Sequence, residues 1–264
     1  MKVYICADIE GVTGIAHWDE SRKKNNDYNY FAEQMTKEVI KACEGAILAG
    51  ATEIFVKDSH GSGRNINPEK LPSEVKLIRG WSGHPFSMMQ ELDESFDAVL
   101  MIGQHSAAGA VGNPMAHTMG GCVELRLNGK IASEFVINSY TAAFCNVPVV
   151  FLSGDHHLCT EAKQMIPNLA VVETNLGFGN SVIANNSNQV LNSIKELCKL
   201  ACAEILKEST LKIPESFLLE IEYKTHPDAY KASFYPGAEL ISPRVIQYSN
   251  ESYFEILRAI NFLL

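Results

Sequence analysis

Residues 1–14 read MKVYICADIEGVTG. The apolar run Val3 to Cys6 has the character of a buried strand, and it leads straight into Asp8 and Glu10. Residues two apart in a strand point to the same side. The two carboxylates therefore crowd one spot where the strand ends. Ionised side by side at a partly buried place they repel, and each gives up several kcal/mol of hydration. A divalent cation reverses the sign of that cost.

Working outward, the pattern alternates. Lys2–Ala7 reads as a strand and Tyr30–Leu48 as a helix, with Phe31, Met35, Val39, Cys43 and Ile47 on one face and Gly50 as a stop. Thr52–Lys57, Val75–Ile78 and Ala98–Gly103 read as further strands, and Phe86–Leu92 as a short helix. Asn128-Gly129 between alternating runs signals a hairpin. Glu134–Cys145 reads as a helix and Pro148–Leu152 as a strand. Beyond the polar stretch Asn175–Asn188, a helix is expected over Asn188–Lys207, strands over Phe217–Tyr223 and Leu240–Tyr248, and a final helix over Ser252–Phe262. Strands alternating with helices predict an α/β fold: a largely parallel central sheet flanked by helices, with a smaller C-terminal α+β lobe. The expected division is 1–175 for the catalytic lobe and 176–264 for the smaller one, or one continuous domain.

Composition narrows the function. The chain has 264 residues, 46% apolar and 20% charged, with a net charge of −9. That is an ordinary globular composition, without the basic footprint that nucleic acid or an anionic membrane requires. No run has the length of a transmembrane helix, and no signal peptide is evident. The seven cysteines, Cys6, Cys43, Cys122, Cys145, Cys159, Cys198 and Cys202, are odd in number and scattered. They read as reduced thiols of a cytoplasmic protein.

The distinctive polar residues follow the apolar strands. Asp8 and Glu10 follow the first strand, Asp58-Ser59-His60 the second, and Gln104-His105-Ser106 the Ala98–Gly103 strand, while Glu134 follows the hairpin. If these strand ends share an edge, Asp8, Glu10, His60, His105 and Glu134 converge. Carboxylates and neutral imidazoles suit Zn²⁺, and five such ligands exceed one tetrahedral ion but suit a pair of metals that activate water and polarise a carbonyl or phosphoryl oxygen. Taken singly, each residue has a plainer role: a D-x-E pair caps turns, and a lone histidine packs or faces solvent. Asp58 reads as a loop-capping group. His117, in a Gly/Pro-flanked loop, is either a solvent histidine or a proton shuttle or nucleophile. Asn138, four residues after Glu134, either donates to an oxyanion or packs. His156 and His157 read as loop residues, and His17, His84 and His226 as surface residues.

At these residues a family resemblance comes into view. ADIEG (7–11), VKDSHG (56–61), GQHS (103–106), MAHTM (115–119) and GKIASEFVINSY (129–140), with VPVVFLSGD (147–155), MIPN (165–168) and YPGAELISPRVIQY (235–248), resemble the zinc-dependent D-aminopeptidases of the DppA type, peptidase family M55. The resemblance runs nearly end to end. It implies two zinc ions per chain on Asp8, Glu10, His60, His105 and Glu134, with His117 at the position of a histidine proposed as nucleophile. An acid/base role for His117 fits equally. The resemblance also implies a short peptide substrate with an N-terminal D-residue and a ring-shaped homo-oligomer, typically a decamer. The stretches at 11–30 and 61–74 match less well. Three competitors stand beside this reading: a dimetal amidase on another small amide, a two-metal phosphoesterase, and a non-enzymatic metal-binding module. The GNH(E/D) stretch of calcineurin-like phosphoesterases is replaced here by GQHS.

Overall fold

The computed structural model describes residues 1–205 and 210–264. Its centre is a six-stranded, wholly parallel sheet in the order β3-β2-β1-β4-β7-β8, with β1 Lys2–Ala7, β2 Glu53–Asp58, β3 Val75–Ile78, β4 Ala98–Gln104, β7 Val149–Gly154 and β8 Ala170–Glu173. From β1 the chain first builds outward through β2 to β3. It then returns to the other side of β1 and builds outward through β4 and β7 to β8. The strand order thus reverses between β1 and β4, and in such sheets the crevice beyond the carboxyl ends at the reversal is where ligands bind.

The strand-to-core alternation explains why β1 is apolar on both faces. Val3, Ile5 and Ala7 enter one core, and Tyr4 and Cys6 the other. Helices α2 (Tyr28–Leu48) and α5 (Ser187–Ala203) pack on each other over the first face, and Met35, Val39, Cys43, Ile194 and Cys198 fill that core. On the second face lie α3 (Glu134–Phe144), α4 (His156–Met165), α7 (Tyr253–Leu263) and a five-stranded antiparallel sheet. That sheet runs β12-β13-β11-β5-β6, from β5 Glu124–Leu127, β6 Lys130–Ile131, β11 Phe217–Glu222, β12 Glu239–Ser242 and β13 Val245–Asn250. A two-stranded hairpin, β9 Asn175–Phe178 and β10 Ser181–Ala184, and short helices α1 (Trp18–Ser21) and α6 (His226–Ala232) complete the chain. The two layers exchange segments: β5 pairs with β11, and α5 returns to α2, so a cut after residue 175 would part both pairs.

Several expectations differ from the structure for local reasons. The run Leu240–Tyr248 is two strands, because Pro243 sits at the turn between β12 and β13, where it lacks an N–H and restricts the residue before it. Phe86–Leu92 forms only a single 3₁₀ turn, Ser87–Met89, flanked by positive φ at Ser87 (48°) and Glu91 (68°). His156 and His157 are not in a loop but open α4, whose N-cap Asp155 accepts from the backbone N–H groups of His157 and Leu158. Helix α6 carries an N-terminal signature, Thr225 as cap with Pro227 in the first turn, that the sequence reading passed over. The expected end of the helix at Lys207 lies outside the described residues. No helix among the described residues is long and apolar enough to cross a membrane.

Candidate metal centre

Beyond the carboxyl ends of β1 and β4 the two chains continue side by side. The Asp8 N–H donates to Ile102 O at 2.8 Å and the Gly11 N–H to Gly103 O at 2.8 Å. This close approach demands glycine. A Cβ on Gly11 would stand 1.8 Å from the Gln104 carbonyl oxygen, and one on Gly103, whose φ is +67°, 2.2 Å from Asp8 O. The zipper brings Asp8 and Glu10 against His105, which follows β4. A bond from Ser59 N–H to Ala7 O, 2.9 Å, draws in the loop that carries His60. Asp58 caps that loop, accepting from the N–H of Ile66 at 2.8 Å and from the Asn65 amide at 2.7 Å. Glu134 opens α3 behind its N-cap Ser133, and the Met119 N–H donates to Glu134 Oε1 at 2.7 Å.

Asp8, Glu10, His60, His105, His117 and Glu134 thus meet. His60 Nδ1 lies 3.4 Å from Asp8 Oδ1 and 2.9 Å from Glu10 Oε2. His105 Nε2 lies 3.7 Å from Asp8 Oδ2 and 3.5 Å from Glu134 Oε2, and His117 Nε2 3.8 Å from Glu134 Oε1. Each imidazole places its other nitrogen against a backbone carbonyl: His60 Nε2 on Ser21 O (2.8 Å), His105 Nδ1 on Ser106 O (3.0 Å), His117 Nδ1 on Met115 O (2.9 Å). A carbonyl only accepts, so each of those ring nitrogens donates. In a neutral ring the nitrogen turned toward the carboxylates is therefore the one with the lone pair. Lone pairs aimed at carboxylates need a cation between them, and this outer-bond arrangement is how metal-ligating histidines are oriented.

The remaining polar atoms agree. Glu10 Oε2 and His105 Nε2 are buried and have no aligned hydrogen-bond partner. Without a metal, protons must fill the gap. Burial opposes a charge on His60, but the Glu10 carboxylate and the bond with Asp8 outweigh it and raise its pKa to about 11. At His105 burial is again outweighed, chiefly by Glu134, and the pKa rises to about 10. Burial would raise Asp8, but His60 and His105 hold it well below the usual carboxylate range. Burial and the Asp8 charge push Glu10 up. Two overlapping triads, Asp8/Glu10/His105 and His105/His117/Glu134, keep their donor atoms within 4.8 Å of one another. Their oxygen and nitrogen donors are those Zn²⁺ takes.

Asp8, Glu10, His60, His117 and Glu134 form one wall of a cavity of about 790 Å³. The stretches that matched the family less well supply Trp18, Arg22 and Gly61 to its lining, and His84, read as a surface residue, lies there too. His117 is a quarter exposed. Its ring stacks on His105 and packs in a T-shaped contact with Trp18, with centroids 5.1 Å apart. Asn138 does not join them. One turn along α3 from Glu134, it is 1% exposed, and its amide donates to Met88 Sδ at 3.4 Å. It packs between β1 and the 3₁₀ turn, and the packing alternative is the one realised. Sequence reasoning missed the groups that hold the cluster from behind. Asn113 donates to Glu10 O at 2.5 Å and accepts from Met115 N–H at 2.8 Å, which ties the Glu10 loop to the His117 loop. Asp155 accepts from the Ser106 N–H (2.6 Å) and hydroxyl (2.7 Å). An acid directly after the β7 apolar run was the available signal for Asp155, whereas the carbonyls of Ser21, Ser106 and Met115 leave none.

The sequence pattern of the D-aminopeptidases, peptidase family M55, matches residues 1–262. The chain belongs to this family. A curated D-aminopeptidase of Bacillus subtilis (strain 168) is 31% identical over 244 residues, 91% of this chain and 88% of the relative. A solved structure of the Zn-dependent D-aminopeptidase DppA from Bacillus subtilis, a self-compartmentalizing protease, superposes with a TM-score of 0.92 at 27% identity, covering 100% of this chain and 96% of that one. The fold of this M55 member, its parallel sheet with flanking helices and its second antiparallel sheet, is thus the fold of that protease. M55 members are peptide hydrolases.

Proposed function

We propose that this enzyme is a zinc-dependent aminopeptidase that removes an N-terminal D-residue, of the D-alanine type, from short peptides. Asp8, Glu10, His60, His105 and Glu134 would hold two zinc ions per chain. The observation that carries the reading is the orientation of the imidazoles: each donates outward to a backbone carbonyl and turns its other nitrogen toward carboxylates. Zinc bound there supplies the Lewis acidity that activates a water and polarises a peptide carbonyl. The chain's own residues do the rest. Met119 N–H and Ser133 hold Glu134 in place, and Asn113 fixes the Glu10 and His117 loops to each other. His117 keeps Nδ1 bonded to Met115 O and leaves Nε2 facing the cavity, where it can take up a proton and pass it to the leaving amine or, once protonated, steady the developing charge.

Copies of the chain would close into a ring, ten in the expected form. The structural relative is self-compartmentalizing, and exposed apolar groups such as Phe178 and Ile183 on the β9–β10 hairpin offer surface for contacts. Seven unpaired cysteines fit a reducing compartment, the cytoplasm.

Amino-acid release from D-Ala-D-Ala and L-Ala-L-Ala by zinc-loaded and chelator-treated protein, with zinc content measured in parallel, tests this. Chelator-sensitive release from the D-dipeptide alone, with two zinc ions per chain, is expected. Release from the L-dipeptide at the same rate removes the D-preference, and undiminished release after chelation removes the metal.

A further inference from the structure

Helix α1 is a single turn, yet it touches the centre twice. The Ser21 carbonyl receives the His60 Nε2–H at 2.8 Å, and the Trp18 and His117 rings pack in a T-shaped contact. Arg22 is the next residue. It leaves the turn in an extended conformation, φ −103° and ψ 122°, with its guanidinium carbon 5.4 Å from the Trp18 ring centroid. The Trp18 indole thus contacts both the His117 ring and the Arg22 guanidinium. Arg22 and Lys224 are the two cationic Arg or Lys side chains in a cavity lining whose metal-facing wall is acidic. Among the described residues no carboxylate lies within ion-pair distance of Arg22.

We propose that Arg22 binds the C-terminal carboxylate of the substrate, so that the centre selects very short peptides ending in a free carboxylate. The assignment rests on the aminopeptidase reading, which puts the substrate's amino end and scissile carbonyl at the acidic wall. An extended chain advances about 3.3–3.6 Å per residue, so a dipeptide carries its carboxylate one such step beyond the reacting carbonyl. Arg22 and His117 both pack on the Trp18 indole, which puts the guanidinium within short-peptide reach of the reacting centre. A guanidinium resting on an aromatic ring is already oriented, and its planar fork takes a carboxylate through two parallel bonds. Lys224 is a point charge with no such ring beneath it. A peptide amide offers Arg22 no charge, and a longer peptide carries its carboxylate past it.

The test compares kcat/KM for D-Ala-D-Ala and for its C-terminal amide in the zinc-loaded wild type, Arg22→Met, Arg22→Lys and Lys224→Met. The wild type is expected to favour the free acid by about 10–100-fold, the range of a charge-assisted hydrogen-bonded pair. Arg22→Met is expected to bring the acid-to-amide ratio near one, mainly through KM for the acid, with part of the preference restored in Arg22→Lys. A wild-type ratio near one overturns the assignment and leaves the peptidase reading standing, as does a ratio that survives Arg22→Met or collapses in Lys224→Met instead. A zinc-loaded wild type that cleaves neither compound overturns the peptidase reading, and this assignment with it.

Discussion

The imidazoles of His105 and His117 lie stacked, 4.2 Å between centroids and 9° from parallel. Both rings are also pinned by outward bonds to carbonyls, so the stack fixes where His117 Nε2 points. His117→Gln is expected to keep its full zinc content and lose about 10²–10⁴-fold in kcat, the span of general acid–base catalysis. Metal analysis beside steady-state kinetics checks this. A variant that loses one zinc per chain would make His117 a ligand through its triad with His105 and Glu134.

Glu10 behaves differently. Its Oε2 is buried without an aligned partner, and its neighbours are another acid and His60. Glu10→Ala should therefore lose metal and activity together. Full zinc occupancy in an inactive, folded Glu10→Ala protein would contradict the ligand role.

Cation binding should expel protons. His60 and His105 have pKa values raised to about 11 and about 10 in the metal-free protein, so both are charged at pH 7. A raised basic pKa stabilises the fold fully below the unfolded value of about 6.5 and loses that contribution as pH rises through 10 and 11. Metal must displace the same protons, so its affinity rises with pH. Zinc added at pH 7 in unbuffered solution should release about two protons per chain from these rings. A release near zero would show that the rings are not protonated.

Gly11→Ala tests the zipper between β1 and β4. Its Cβ would meet a backbone oxygen at 1.8 Å, so the chains must part. The expected cost is at or above the ~3 kcal/mol upper end for overpacking, with zinc binding lost because Asp8 and Glu10 move away from His105. A urea melt and a zinc titration measure the two effects. Unchanged stability would mean the two chains can separate freely.

Glu38 is a buried acid outside the cluster. Its Oε1 accepts from Thr13 N–H (2.9 Å), Thr13 hydroxyl (2.8 Å) and Gln34 (2.9 Å), while Oε2 has no partner. Burial outweighs those bonds and raises its pKa. An acid with a raised folded pKa costs stability as pH climbs from about 4.5, its unfolded value, through the folded one. Glu38→Gln cannot ionise, so its stability relative to wild type should be greater at pH 7.5 than at pH 4.5. Equal differences in urea melts at the two pH values would show that Glu38 does not titrate in this range.

Much of the candidate site was legible because its acids and histidines are sequence-local to strand ends. Asp8, His60, His105 and Glu134 each sit within a few residues of an element the hydrophobic pattern reveals, and a parallel sheet brings such ends to one edge. What was not legible depends on contacts that have no one-dimensional trace. Trp18 reaches His117 because α1 lines the same cavity, and Ser21 acts through a carbonyl that every residue type possesses. Asn138 misled because i, i+4 spacing fixes a helix face, and on α3 that face turns from cavity to core within one turn. The β12–β13 break was masked by flanking apolar residues on both sides of Pro243.

The pairing of β5 with β11 has a consequence for the chain as it leaves the ribosome. Glu134 stands three residues beyond β6, and that hairpin's other neighbour in the sheet spans Phe217–Glu222. A lone two-stranded hairpin is marginal in water. The nascent polypeptide therefore carries Asp8, Glu10, His60, His105 and Glu134 well before the strand that completes the sheet around β5 and β6 has been synthesised. A product ending before residue 217 would hold all five candidate ligands but lack the strand that pairs with β5, so the candidate centre would order only near the end of synthesis.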